Sequence, residues 1–261
     1  MKIRALLCLG LIVAASVMLL NIVTLHASET DDRIESSARE SYVFKTYLNG
    51  DSIEIQSQEG VVTLTGRVSE EFHKSMAAET MASLPGVTSV NNQLTVTGAP
   101  LDPNSDATLV ERIRSALLLH RSVSNVGLDV SATDGKAILQ GNASSEAQKE
   151  LTTEYARDVS GVKEVDNQMT VTESPPVPER TLGEKIDDAS VTALVRMSLF
   201  LHHGTDVFDT QVSTRKGVVT LSGTAKNRAE IDLATKLVSD IHGVESVTNQ
   251  MTVEGSQSST N

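Results

Sequence analysis

Gly60-Val-Val-Thr-Leu-Thr-Gly66, followed downstream by Leu84-Pro-Gly-Val-Thr-Ser-Val-Asn-Asn-Gln-Leu-Thr-Val96, decides the fold because it occurs three times. Gly135-Lys-Ala-Ile-Leu-Gln-Gly141 and Gly217-Val-Val-Thr-Leu-Ser-Gly223 repeat the first part. Val159-Ser-Gly-Val-Lys-Glu-Val-Asp-Asn-Gln-Met-Thr-Val171 and Ile241-His-Gly-Val-Glu-Ser-Val-Thr-Asn-Gln-Met-Thr-Val253 repeat the second. The steps from Gly66 to Gly86, Gly141 to Gly161 and Gly223 to Gly243 are equal, so nothing is inserted between the anchors. Such self-similarity marks tandem copies of one folding unit. The units run over 31–97, 106–172 and 188–254. Gly98–Ser105 and Glu173–Arg180 join them, and their prolines mark semi-rigid spacers. The tail Gly255–Asn261 is polar and carries no core pattern.

Within a unit the pattern predicts helix, strand, strand, helix, strand. Leu109, Ile113 and Leu117 recur at helical spacing after Asp106, an N-cap type; their counterparts are Ile34, Ala38, Tyr42 and Val191, Val195, Leu199. Val126, Leu128, Val130 and Ala132 alternate as a strand does. Asp134-Gly135 is a two-residue hairpin signal, with Glu59-Gly60 and Lys216-Gly217 in the same place. Asn227 with Glu230, and Ser145 with Gln148, are capping boxes at the second helix. A strand–helix–strand crossover makes the last two strands parallel. The expected fold is α+β: three αββαβ units, each a three-stranded mixed sheet with two helices on one face. Gly66, Gly86, Gly141, Gly161, Gly223 and Gly243 are expected to serve its turns and strand ends.

An αββαβ unit carrying Gly-Val-Val-Thr-Leu-Thr-Gly and Leu-Pro-Gly-Val-Thr-Ser-Val-Asn-Asn resembles the BON domain. The resemblance covers nearly all of 31–254, in three copies, with Lys136-Ala137 replacing Val-Val in unit two. The whole chain is similar to osmotically inducible periplasmic proteins with several BON domains. The resemblance implies envelope maintenance, osmotic-stress protection and contact with phospholipid membranes. It implies no catalytic residue and no cofactor.

The N-terminus agrees with that compartment. Met1-Lys2-Ile3-Arg4 precedes an apolar run from Ala5 to Leu20, the layout of a secretory signal with a cut after Ala27. Leu25 stands where a small residue is preferred, and the apolar run continued through Leu25 is long enough to stay as an inner-membrane anchor. Residues 1–27 are thus a signal peptide or an anchor, and the remainder is expected in the periplasm. Cys8, the single cysteine, lies inside that run, which excludes a disulfide framework, a cysteine zinc site and a thiol nucleophile from the rest.

Other chemistry is sparse. A net charge of -12 argues against nucleic-acid binding, which is built from clustered Lys and Arg. His120 and His202 hold equivalent places at the end of the first helix, where unit one has Lys45; His203 follows. They suit the negative end of a helix dipole better than a metal site. His73 and His242 have no companion at ligand spacing. The recurrent glycines lack the Lys-Ser/Thr of a phosphate loop, no serine sits in a nucleophile elbow, and Asn142-Ala143-Ser144 is a fortuitous glycosylation triplet.

Two recurrent features remain. Strand alternation puts Asn92, Asn167 and Asn249 on the apolar face of the last strand. A buried amide there either bonds backbone at a bulge or turn, holding the crossover, or contacts a ligand. The second feature is an outer apolar ridge on the first helix: Val43, Phe44 and Tyr47; Leu118 and Leu119; Met197, Phe200 and Leu201. A helical wheel turns these away from the core-facing stripe. The ridge either packs between units or is a surface for lipid or an envelope protein, with Arg112, Arg114, Arg121 and Arg196 near enough to meet lipid phosphates.

Overall fold

The computed structural model describes residues 29–97, 101–123, 127–172, 186–202 and 210–254. The N-terminal segment with Cys8, His203, Val126, the tail and the second spacer lie outside the described residues.

Unit one opens with helix α1 over 29–40 and a short helix α2, Tyr42–Thr46. Strands β1 (Ser52–Gln58) and β2 (Val61–Val68) pair antiparallel about Glu59-Gly60. Both turn residues have positive φ, 53° and 77°, as a two-residue primed turn requires. Helix α3 (Glu71–Ala82) then crosses over the sheet to β3 (Ser89–Asn92) and β4 (Thr95–Val96), both parallel to β2. Unit two repeats this with α4 (Asp106–Leu119), β5 (Leu128–Thr133), β6 (Lys136–Ala143), α5 (Glu146–Arg157), β7 (Glu164–Asn167) and β8 (Thr170–Val171). Unit three has α6 (Asp188–Leu201), β9 (Thr210–Arg215), β10 (Val218–Ala225), α7 (Arg228–Ser239), β11 (Ser246–Asn249) and β12 (Thr252–Val253). Each sheet is three-stranded and mixed, its last strand interrupted once, so that both halves pair with the central strand.

The interruption falls at the recurrent asparagine. Asn167 Nδ2 donates to Lys149 O at 2.9 Å and Thr153 Oγ1 at 2.7 Å, while its Oδ1 accepts from Met169 N at 2.9 Å. Asn249 repeats all three bonds, and Asn92 donates to Lys74 O and accepts from Leu94 N. The amide supplies the ladder bonds that the jog removes and ties strand to helix. Two glycines are dictated by backbone. A Cβ on Gly66 would stand 2.0 Å from Ser52 O, and Gly141 meets Gly127 O at 2.2 Å in the same way. Gly86, with φ 93°, follows Pro85 in a turn closed by Val87 N to Leu84 O, the type II pattern. Gly161, Gly223 and Gly243 repeat these conformations.

The first helices differ between units. The N-cap of α4 is Ser105, whose hydroxyl accepts from Thr108 N, so Asp106 is the first helical residue and not the cap. In unit one the helix breaks at Ser41, which is extended at φ -63° and ψ 150°. Helix α6 is buried almost all round and packs on α7 of its own unit, α3 of unit one and α4 of unit two. The buried apolar residues of the three units form one cluster. The units are therefore lobes of a single core centred on α6.

Candidate functional site

The ends of the first helices meet where the units join. Asp187 caps its own helix through Ser190 N at 2.8 Å, and its other oxygen accepts from Tyr42 N of unit one at 2.8 Å. Ser190 Oγ accepts from Val43 N at 3.1 Å. The break at Ser41 frees those two amides, and unit three answers them. Two helix N-termini thus share one carboxylate, which their dipoles favour. Arg196 reaches Glu79 of α3 at 3.3 Å across the same seam.

Units two and three join by a reciprocal contact. His120 forms a β-bridge with Ile241, and His202 forms the matching one with Val159. His120 matches His202 and Val159 matches Ile241 in the repeat, so the contact has the exchange pattern of a twofold interface. Near the pseudo-axis His120 Nε2 lies 3.0 Å from His202 Nε2. Both side chains are buried. Tyr155 stacks on His120 at 4.0 Å and donates its hydroxyl to Asp240 Oδ2 of unit three at 2.9 Å. Asp240 also accepts from Ser122 Oγ at 2.6 Å and pairs with Arg121 at 3.4 Å. Burial, and secondarily the charge of His242, push the His120 imidazole down to about 3. Burial, then the Asp240 carboxylate, raise the Tyr155 phenol. A cationic role for His120 at a helix end is therefore corrected: the ring is neutral and part of a seam.

The outer ridge is divided. Val43, Leu119, Met197 and Leu201 are buried, Phe44 and Tyr47 are half-buried, and Leu118 and Phe200 stand out at 39% and 62% exposure. Leu118 and Phe200 are equivalent positions, each two residues before its histidine. Unit one departs because the break at Ser41 rotates α2: Val43, their counterpart, turns inward. A groove of about 270 Å³ runs between Phe72 and His73 of unit one and Leu117 and Leu118 of unit two, with Val123 and Leu128 at its floor and rim. His73 is locked there by Asp51 Oδ2 at 2.6 Å and Ser69 Oγ at 3.0 Å. Of the four arginines near the ridge, Arg121 and Arg196 are engaged in seams, and Arg114 pairs with Asp129 in solvent. Arg112 donates to Pro103 O beside the start of α4.

Tyr155, Asp187 and Asp240 join the units, and only Asp240 has a counterpart of its own type in the repeat, Asp158 of unit two. Recurrence of Asp at 31, 106 and 188 is the signal the sequence does carry. Asp31 takes the hairpin amides of Glu59 and Gly60, and Asp188 takes those of Lys216 and Gly217. The Ser57 hydroxyl first, then the Gly60 amide, hold the Asp31 carboxyl below its ordinary range. Among the described residues no three His, Cys, Asp or Glu side chains gather as metal ligands, and no helix is long and apolar enough to cross a membrane.

The sequence model described as BON domain matches residues 30–98, 105–173 and 187–255. The chain is similar to osmotically-inducible protein Y of Escherichia coli (strain K12), 26% identical over 146 residues, 56% of this chain and 71% of that protein. It is also similar to outer membrane lipoprotein DolP of Haemophilus influenzae, 26% identical over 152 residues, 58% of this chain and 74% of that one. Among solved structures, CdsD, a structural protein of the type III secretion system of Chlamydia trachomatis, matches at 16% identity and a TM-score of 0.24, over 88% of this chain and 91% of that one.

Proposed function

We propose, from the premise that this chain belongs to the BON domain family, that it is a non-enzymatic protein of the periplasm that associates with phospholipid membranes and supports the envelope under osmotic stress. The observation that carries the membrane part is the exposure of Leu118 and Phe200 at equivalent helix ends, where the rest of the ridge is buried or half-buried. A large apolar side chain left in water at a repeated position costs burial energy that a lipid surface recovers, about 25 cal/mol per Å². Insertion must be driven by apolar contact, because the net charge of -12 repels an anionic bilayer as a whole. Names of the relatives, osmotically-inducible protein Y and an outer membrane lipoprotein, support the envelope setting. Residues 1–27 fit this setting as an export signal or an anchor facing the periplasm.

A second reading is an adaptor for envelope proteins. The groove between Phe72 and Leu118 favours it, since its volume of about 270 Å³ and its apolar lining suit an apolar side chain of a polypeptide. Co-sedimentation of the chain from Ser28 with vesicles of phosphatidylglycerol and of phosphatidylcholine, at low and high salt, separates the two. The membrane reading expects pelleting that survives salt. The adaptor reading expects the protein to stay in the supernatant with both lipids.

A further inference from the structure

The three hairpin turns are alike, and two of them hold a carboxylate. In unit one the amides of Glu59 and Gly60 donate to Asp31 at 2.9 and 3.0 Å. In unit three those of Lys216 and Gly217 donate to Asp188 at 2.7 and 2.9 Å. Two successive amides at positive φ point to one side and form a cradle for an anion. Unit two has the same turn, with Asp134 at φ 52° and Gly135 at φ 87°. It also has the matching acid, Asp106. The contact is nevertheless absent: among the described residues no acceptor meets the amide of Asp134 or Gly135. The start of α4 is tied to its own spacer instead, through Thr108 Oγ1 to Asp102 O at 2.6 Å. A cavity of about 520 Å³ opens between helix and turn.

The lining of that cavity is particular to unit two. Arg112 and Lys163 face it, where unit one has Ser37 and Thr88 and unit three has Leu194 and Glu245. The Lys163 stem lies over Gly135, and its ammonium donates to Asp134 O at 3.1 Å, so a cation stands at the turn itself. The two cations offset Asp106 and Asp134, which also line the space. Amides that hold a carboxylate in both sister units are here free, and the matching Asp106 is set apart from them across an open space into which Arg112 and Lys163 bring cations.

The geometry points to an oxyanion site in unit two, in which a phosphate group takes the place on the Asp134 and Gly135 amides that Asp31 and Asp188 take in the other units, with Arg112 and Lys163 completing it. The phosphate is either free in solution or part of a phospholipid headgroup. The site lies toward the opposite end of α4 from Leu118, so it stands or falls apart from the apolar contact proposed above.

Amide NMR and hydrogen exchange on the full chain test it. Millimolar inorganic phosphate, against chloride at equal ionic strength, should shift and protect Asp134 and Gly135 saturably and leave Gly60 and Gly217 unmoved. Arg112→Gln and Lys163→Ala should each weaken the response about tenfold. Lys163 is exposed, so its variant keeps the fold even if the Arg112 variant does not. Protection by phosphatidylglycerol vesicles without a response to free phosphate assigns the group to lipid; a response to both assigns the cradle to phosphate of either source. The proposal is overturned if neither ligand moves Gly135, if Gly60 and Gly217 respond equally, or if both variants respond as the parent does. It is also overturned if Gly135 exchanges as slowly as Gly60 and Gly217 with no anion present, because Asp106 would then close the cradle.

Discussion

His120 Nε2 lies 3.0 Å from His202 Nε2, and the two rings come from equivalent helix ends in different units. One nitrogen must donate and the other accept, so the contact requires that the accepting Nε2 carry no proton. A proton on the accepting ring sets two donors against each other, and a proton on either ring places a charge in a buried seam.

The consequence is a dependence on pH with a definite sign. A histidine in the unfolded chain titrates near 6.5, whereas His120 in the fold is pushed down to about 3. Between those values the unfolded chain binds a proton that the folded chain does not. Stability from this group is complete above about 6.5 and is lost as pH falls toward 3, by up to ~1.4 kcal/mol per unit. The charged groups facing the ring are Asp240, whose Oδ2 lies 3.8 Å from Nδ1 and which is itself paired with Arg121, and His242, which opposes a proton on His120. Thermal melts at pH about 7.5 and about 5 should show a larger drop for the parent than for His120→Leu. Parallel drops would assign the acid sensitivity to other groups.

Asp187 serves two helices, so its loss should be felt in two units. Asp187→Ala is expected to cost about 2 kcal/mol, the upper range for a cap. Amide exchange should quicken at Tyr42 in unit one as well as at Ser190. Unchanged protection at Tyr42 would show that unit one does not depend on the carboxylate.

The crossover asparagine is a structural candidate with a direct test. Asn167→Leu removes two donated bonds and one accepted bond while keeping the side-chain size. The expected loss is about 1–3 kcal/mol, read as a lower denaturation midpoint. An unchanged midpoint would free this amide for a ligand-binding role.

The two neighbours at the end of α6 should behave oppositely. Leu201→Ser opens the buried cluster and is expected to cost about 3–5 kcal/mol. Phe200→Ser, at 62% exposure, should move stability by no more than about 0.5 kcal/mol. Equal losses from the two would mean that Phe200 is covered by something in solution.

Much of the unit was legible because its signals are local. The Asp134-Gly135 turn, the Ser145 and Asn227 caps and the alternation in β5 depend on residues a few positions apart. Glu230 N donates to Asn227 and Gln148 N to Ser145, as side chains of that type at that spacing do. The joining of the units was not legible, since it is fixed by contacts between residues far apart in the chain, such as Tyr42 with Asp187 and Tyr155 with Asp240. The helical wheel set Leu118 beside Leu119 and Phe200 beside Leu201, but a wheel carries no information about a second unit. It therefore could not tell that one residue of each pair is buried. Nor could it foresee the break at Ser41, where the freed amides of Tyr42 and Val43 are met by Asp187 and Ser190 of α6.

Leu118 and Phe200 as the membrane contact are tested by co-sedimentation of the double variant Leu118→Ser with Phe200→Ser. Vesicles containing phosphatidylglycerol should pellet the parent chain and leave the double variant in the supernatant, while both proteins melt at the same temperature. Equal pelleting of the two, at equal stability, would show that neither Leu118 nor Phe200 is the membrane contact.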